Sequence, residues 1–352
     1  EAAVYVSQYI HPDPPDQCGI SINPAQVTCM TAPAPDALRA RNLTFPDFDT
    51  AVPSNGYRWW YLDALSHDGD LGLTIIVFIG SVFSPYYAAK RRQAPTPAEN
   101  HCAFNVALYG SRGRRWAMTE RGPDSLGRER DWLRIGKSHM EASDGLITFH
   151  INEWASPLPR QVLGTVRVRQ TAQTRAAFSL GANETHCWWP ISPKVEVEVD
   201  MTLPDLAWRG EGYFDTNWGN EPLEAGFERW CWGRAARAED SIIHYDVVRR
   251  NGDERSLLLH IDNSGEVHQQ PSAAPADLPA TRIWRINRET RSDNRAARLV
   301  RTLEDTPFYS RSLIETSLLG SQVVAFHESL CLQRFSRRWV QNLLPFRMPR
   351  MP

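Results

Sequence analysis

"RWWYLDALSHDGDLGLTIIVFI", residues 58–79, carries its own punctuation. Arg58 to Ala64 is aromatic and alternating, Ser66-His67-Asp68-Gly69-Asp70 is a cluster of turn formers, and Leu71 to Ile79 is rich in β-branched residues. Such a run reads as strand, turn and partner strand. The same region could be mistaken for a membrane span. Leu71 to Ala89 has no formal charge over 19 residues, but Gly80, Ser81, Ser84 and Pro85 break its second half. We therefore read a buried strand, Leu71 to Ile79, and then a loop.

Working outward, the texture persists. Further strand candidates are His101 to Tyr109, Arg115 to Glu120, Leu146 to Ile151, Gln161 to Gln170, Val195 to Met201, Ile242 to Arg249, Ser256 to Ile261, Arg282 to Asn287 and Arg298 to Leu303. Almost nothing in the first 300 residues sustains a helical period. The fold class is mainly antiparallel β, of the barrel or sandwich kind, with few helices. A faint echo, Arg58-Trp59-Trp60-Tyr61-Leu62-Asp63-Ala64 beside Arg229-Trp230-Cys231-Trp232-Gly233-Arg234-Ala235, each time precedes strand, turn and strand. It places the start of a second domain near residue 225. The expected organisation is an extended Pro-rich lead-in over 1–45, a first β domain over 46–224 and a second over 225–352. Two barrels built alike would leave a cleft for a ligand.

The last segment differs. From Ser329 onward five Arg (334, 337, 338, 347 and 350) meet no acid, and Trp339, Leu343 and Phe346 fall at helical i, i+4, i+7 spacing. A basic amphipathic segment is either a strap packed on the barrel or a contact for an anionic bilayer.

Composition narrows the function classes. The chain of 352 residues is 42% hydrophobic and 23% charged with a net charge of -2, which describes a globular protein with no whole-chain attraction to nucleic acid. Six scattered Cys (18, 29, 102, 187, 231 and 331) form no CxxC or CxxH pair, so we expect reduced thiols in a cytoplasmic protein and neither zinc site nor disulfide frame. The start, EAAVYVSQYIHPD, lacks the basic and apolar regions of a secretory leader. No GxSxG, Walker loop or strand-to-helix GxGxxG is present, which leaves hydrolase, phosphotransferase and dinucleotide readings unsupported.

Two aromatic stretches can carry chemistry. In "GYFDTNWG", residues 212–219, strand alternation turns Tyr213, Asp215 and Asn217 to one face and Phe214, Thr216 and Trp218 to the other. In "NETHCWWP", residues 183–190, His186 and Trp188 share a face. Each residue alone has a bland reading, His186 as a satisfied core histidine and Asp215 as a hydrogen-bonded turn former; together they outline a site. Asp63 is read as a hydrogen-bonded strand acid, with a second buried acid as the alternative. His67 and Asp68 are read as solvated turn residues, and His101 has no second His at metal-ligand spacing.

With "GYRWWYLDALSHDG", "GSVFSPYYA", "NHCAFNVALYG", "RWAMTERG", "NETHCWWP", "GYFDTNWG" and "LLPFRMPR" taken together, the chain resembles the carotenoid 1,2-hydratases, or hydroxyneurosporene synthases, from about residue 45 onward. The resemblance implies tandem lipocalin-like β-barrel or sandwich domains and a cofactor-free addition of water across the C1–C2 double bond of acyclic carotenoids such as neurosporene and lycopene. It carries the functional residues onto His186, Trp188, Tyr213 and Asp215. An unactivated alkene must be protonated before water can add, so a desolvated Asp215 is the expected proton donor, with Trp188 and Tyr213 flanking the cation. His186 could hold the water, accept its proton or fix the Asp215 carboxyl. A lipocalin-like carrier and a terpenoid cyclase or isomerase of the same superfamily are the other readings. So apolar a substrate implies peripheral contact with a membrane surface, the photosynthetic membrane on the family resemblance.

Overall fold

The computed structural model describes residues 43–351 and the backbone pair Ala37–Leu38, so nearly all of the expected lead-in lies outside the described residues. The hairpin at 58–79 is the seed of the fold. Tyr57–Ser66 pairs antiparallel with Gly72–Ile79, Trp60 opposite Val77, around the turn at Asp68. Cys102–Tyr109 and Arg115–Arg121 extend this sheet on one side, and Leu206–Gly219 and then His186–Leu203 on the other. Gln161–Gln170, Leu146–Trp154, Ser138–Ser143, Trp132–Ile135 and Leu126–Arg128 complete a path that curls until Ala117 bridges to Ala155. The result is a nearly closed antiparallel barrel of thirteen strands, counting two short ones beside His186–Leu203.

Alternation decides what fills it. Trp60, Leu62, Phe104, Phe149, Trp189 and Phe214 point inward and are almost fully buried. Each contributes about 1.5–3 kcal/mol by leaving water. Their sequence neighbours Trp59, Tyr61, Trp188 and Tyr213 point outward, yet they too are buried.

A second sheet covers that outer face. Its seven strands run in the order Val267–Gln270, Glu254–Asp262, Asp240–Arg249, Phe227–Ala236, Ser321–Cys331, Tyr309–Leu318 and Ala297–Asp305. The chain changes sheets at the short helix Leu223–Gly226. The echoing strands meet face to face, with the rings of Trp59 and Trp230 6.5 Å apart and those of Tyr61 and Trp232 5.7 Å apart.

Two expectations require correction. The predicted loop after Ile79 holds a helix, Pro85–Arg91, because Ser84 accepts from the backbone N–H groups of Tyr86 and Tyr87 and Pro85 fits the first turn. The predicted strand Arg282 to Asn287 is a turn segment instead. Arg285 takes a positive φ there, and the Asp305 carboxylate ties down the N–H groups of Ile283 and Trp284. In the tail, Trp339, Leu343 and Phe346 stay exposed, while Val340, Leu344 and Met348 are the residues that pack inward. Cys102, Cys187, Cys231 and Cys331 are free, as expected.

Candidate active site

A cavity of about 390 Å³ opens between the two sheets, within the usual size of ligand pockets. Strand register explains its walls. Across the first sheet Asp215 lies opposite Tyr61, Tyr61 opposite Ile76, Ile76 opposite Asn105 and Asn105 opposite Met118. Across the second, Tyr245 lies opposite Trp232, Trp232 opposite Glu328, Glu328 opposite Arg311 and Arg311 opposite Glu304. Every one of these residues lines the cavity. The floor is closed, with Asp215 only 4% exposed, whereas Phe346 at the mouth is 72% exposed.

Asp215 stands as the alternation requires. Its Oδ2 accepts from Tyr213 OH at 2.8 Å and Trp188 Nε1 at 2.9 Å, while Asn217 Nδ2 approaches Oδ1 at 3.4 Å. Burial pushes its carboxyl well above the ordinary carboxylate range, against the opposing pull of the Trp188 and Tyr213 hydrogen bonds. With two donors on Oδ2, a proton held by Asp215 belongs on Oδ1. The neighbouring buried acid, Asp63, is different: Arg234 reaches it from the second sheet as an ion pair, and Tyr61 OH lies 3.0 Å away. It lies outside the cavity lining.

His186 shares the face but not the cavity wall. It is fully buried, with Tyr57 OH 2.9 Å from Nδ1 and the Glu221 carboxylate 3.0 Å from Nε2. Since a carboxylate only accepts, Nε2 carries the hydrogen and Nδ1 accepts from Tyr57. Burial, aided by the Arg249 charge, lowers its pKa to about 4, so the ring is neutral at pH 7. Gly219 and Gly226 make room for it. A Cβ at either would come within 3.0 Å of a His186 ring nitrogen. Tyr57 in turn stacks on Trp59, a cavity residue, at 4.9 Å.

Of the four predicted site residues the structure thus joins Asp215, Trp188 and Tyr213 in one hydrogen-bonded cluster and sets His186 behind it. Sequence reading missed Glu304, Arg311 and Glu328, charges in otherwise ordinary strands. A cluster of Asp262, Glu266 and His268 could hold a cation, but it sits on a surface turn where backbone N–H groups already occupy the Asp262 carboxylate.

Comparison with known proteins decides the family. The model for the carotenoid hydratase CrtC matches residues 75–352. The chain belongs to the carotenoid hydratase family. The acyclic carotenoid 1,2-hydratase of Thiocapsa roseopersicina is 51% identical over 87% of this chain and 76% of its own length. That of Rubrivivax gelatinosus is 44% identical over the same shares. A putative AttH structure from Nitrosomonas europaea shares the fold at a TM-score of 0.53 and 12% identity, covering 84% of this chain and 98% of the other. The fold of this chain is thus mainly β and lipocalin-like, as the family resemblance implied.

Proposed function

We propose that this chain adds water across the C1–C2 double bond of acyclic carotenoids such as neurosporene and lycopene, with Asp215 as the proton donor. Hydratase activity, that of a hydro-lyase, follows from the family; the residue roles rest on the cavity. The observation that carries them is a carboxyl held by two neutral donors, at the floor of an aromatic cavity, with burial keeping it protonated.

The steps follow from alkene chemistry. Asp215 delivers its proton to C2, and positive charge appears at the tertiary C1. Trp59, Tyr61, Trp230, Trp232 and Tyr245 line the same cavity as Asp215 and are the rings available to flank that charge. Each cation–π contact contributes on the order of 0.5–2 kcal/mol, against the roughly 8 kcal/mol or more that enzymatic acceleration demands. The remainder comes from a positioned acid and a positioned water in a dry site. Trp188 and Tyr213, expected to flank the cation, lie outside the cavity lining and instead orient the carboxyl, and His186 acts through Tyr57 on the Trp59 wall as a positioning residue. A carrier would need the aromatic cavity but not the buried acid. A cyclase or isomerase would give a product of unchanged mass.

Asp215→Asn is expected to keep the fold and carotenoid binding while abolishing turnover, followed as hydroxylated product by chromatography. In heavy water the parent enzyme should place deuterium at C2. Near-normal turnover of the variant, or no deuterium at C2, would sink the assignment.

The reaction touches only one end of a long polyene, so the rest of the chain can remain in a lipid phase. No helix among the described residues is long and apolar enough to cross a membrane. We propose instead that the cavity mouth rests on a bilayer surface. Leu158, Ile283 and Phe346 are 65, 73 and 72% exposed, on segments joined at the mouth by Ser156 Oγ donating to the Phe346 carbonyl and by Trp284 stacking on Trp339. Exposed Arg282, Arg285, Arg337 and Arg338 lie on the same segments and suit anionic headgroups.

A further inference from the structure

We propose that Glu328 is the base that takes the proton from the attacking water; this rests on Asp215 as the acid. Once C1 is cationic, water can bond to it only while losing a proton, and the donor-side residues offer no acceptor for that proton. Both nitrogens of His186 are engaged, by Tyr57 and Glu221. Asp63 is taken by Arg234 and lies outside the cavity lining.

Glu328 is built differently from Asp215. It comes from the opposite sheet and lines the same cavity. Its Oε1 collects all of its hydrogen bonds, from Tyr61 OH at 2.8 Å and from Arg311 Nε and Nη2 at 2.9 and 2.6 Å. Among the described residues Oε2 accepts none, and the side chain keeps 12% of its surface exposed. One carboxyl therefore meets only neutral donors, the other a guanidinium. An acid and a base need such a division of environments.

The balance is complete. The π electrons of C1=C2 form the C2–H bond with the Asp215 Oδ1 proton, and water oxygen forms the C1–O bond. One water proton passes to Glu328 Oε2, leaving Asp215 ionised and Glu328 protonated. Return of that proton to Asp215 through solvent resets the pair, and the sum is alkene plus water to tertiary alcohol. Because acid and base stand on facing sheets, hydrogen and hydroxyl arrive from opposite sides.

Glu328→Gln tests this, since the amide oxygen still accepts from Tyr61 and Arg311. Hydration of lycopene is expected to fall about 100-fold, the usual contribution of a general base being at least that. Protonation should survive, so in heavy water the recovered substrate of this variant should still acquire deuterium at C2. Asp215→Asn should lose exchange and hydration together, which separates failure of the base from failure of the acid. Hydration by Glu328→Gln at the parent rate would overturn the proposal. So would loss of exchange in a variant that still binds carotenoid. Should that variant not fold, Glu328→Asp keeps the charge on a shorter arm. It should lower hydration at least tenfold with exchange intact, and an unchanged rate would overturn the proposal equally.

Discussion

At the scale of single residues, the Asp215 carboxyl is governed by two opposed influences. Burial favours its protonated form, and the hydrogen bonds of Trp188 and Tyr213 favour the charged one. Replacing Trp188 by Phe removes one of the latter. The folded pKa must then rise further, and since turnover needs the protonated acid, the alkaline limb of the pH–rate profile should move to higher pH. The lost orienting bond, about 0.5–1.5 kcal/mol, should lower the plateau rate by roughly threefold to tenfold. A pH profile of Trp188→Phe checks both. The facing of Asp215 and Tyr213 against Phe214 was legible from alternation alone, because a strand has a period of two whatever its neighbours. Glu328 was not legible. Phe326, two residues before it in "AFHESL", is too ordinary a strand neighbour to mark a site, and the alignment of Glu328 with Arg311 and Glu304 exists only once three strands are in register.

Elements follow the same logic. The hairpin at 58–79 was legible because turn chemistry and β-branching agree there. The helix Pro85–Arg91 was hidden, since Ser84 and Pro85 serve equally as breakers and as an N-cap with its first helical residue. The stretch Arg282 to Asn287 has the Ile and Trp content of a strand, but the Asp305 carboxylate, distant in sequence, claims two of its N–H groups. The tail is a strap, with Val340, Leu344 and Met348 packed down and Trp339, Leu343 and Phe346 facing outward. Truncation would remove the strap with the surface, so point changes test the membrane contact better. Leu158→Ser, Ile283→Ser and Phe346→Ser combined should weaken co-sedimentation with phosphatidylglycerol vesicles at least tenfold, at unchanged thermal stability. Retained binding would refute contact through the mouth.

For the whole molecule, buried histidines set an acid limit. His186 and His327 titrate near 4 and near 3 in the folded chain, the second through burial and the charge of His244. Unfolded, both bind protons from about pH 6.5. Between those values the two histidines hold more protons unfolded, so their contribution to stability falls as pH falls from about 6.5 towards 4, while the raised Asp215 carboxyl works in the opposite sense. Thermal melts over that range should show Asn in place of His327 gaining on the parent as pH falls. The chain changes sheet at Leu223–Gly226, and both sheets fall within one compact unit.

The order of the two sheets along the chain has a further consequence during synthesis. Every strand of the barrel precedes Phe227, and the strands that cover its outer aromatic face end at Cys331. At roughly 5–20 residues per second, a ribosome leaves Trp59, Tyr61, Trp188 and Tyr213 uncovered for on the order of 5–20 seconds in each nascent chain. The aromatic face that the second sheet will cover is thus, for that interval, the stickiest part of the emerging protein and a natural client for chaperones.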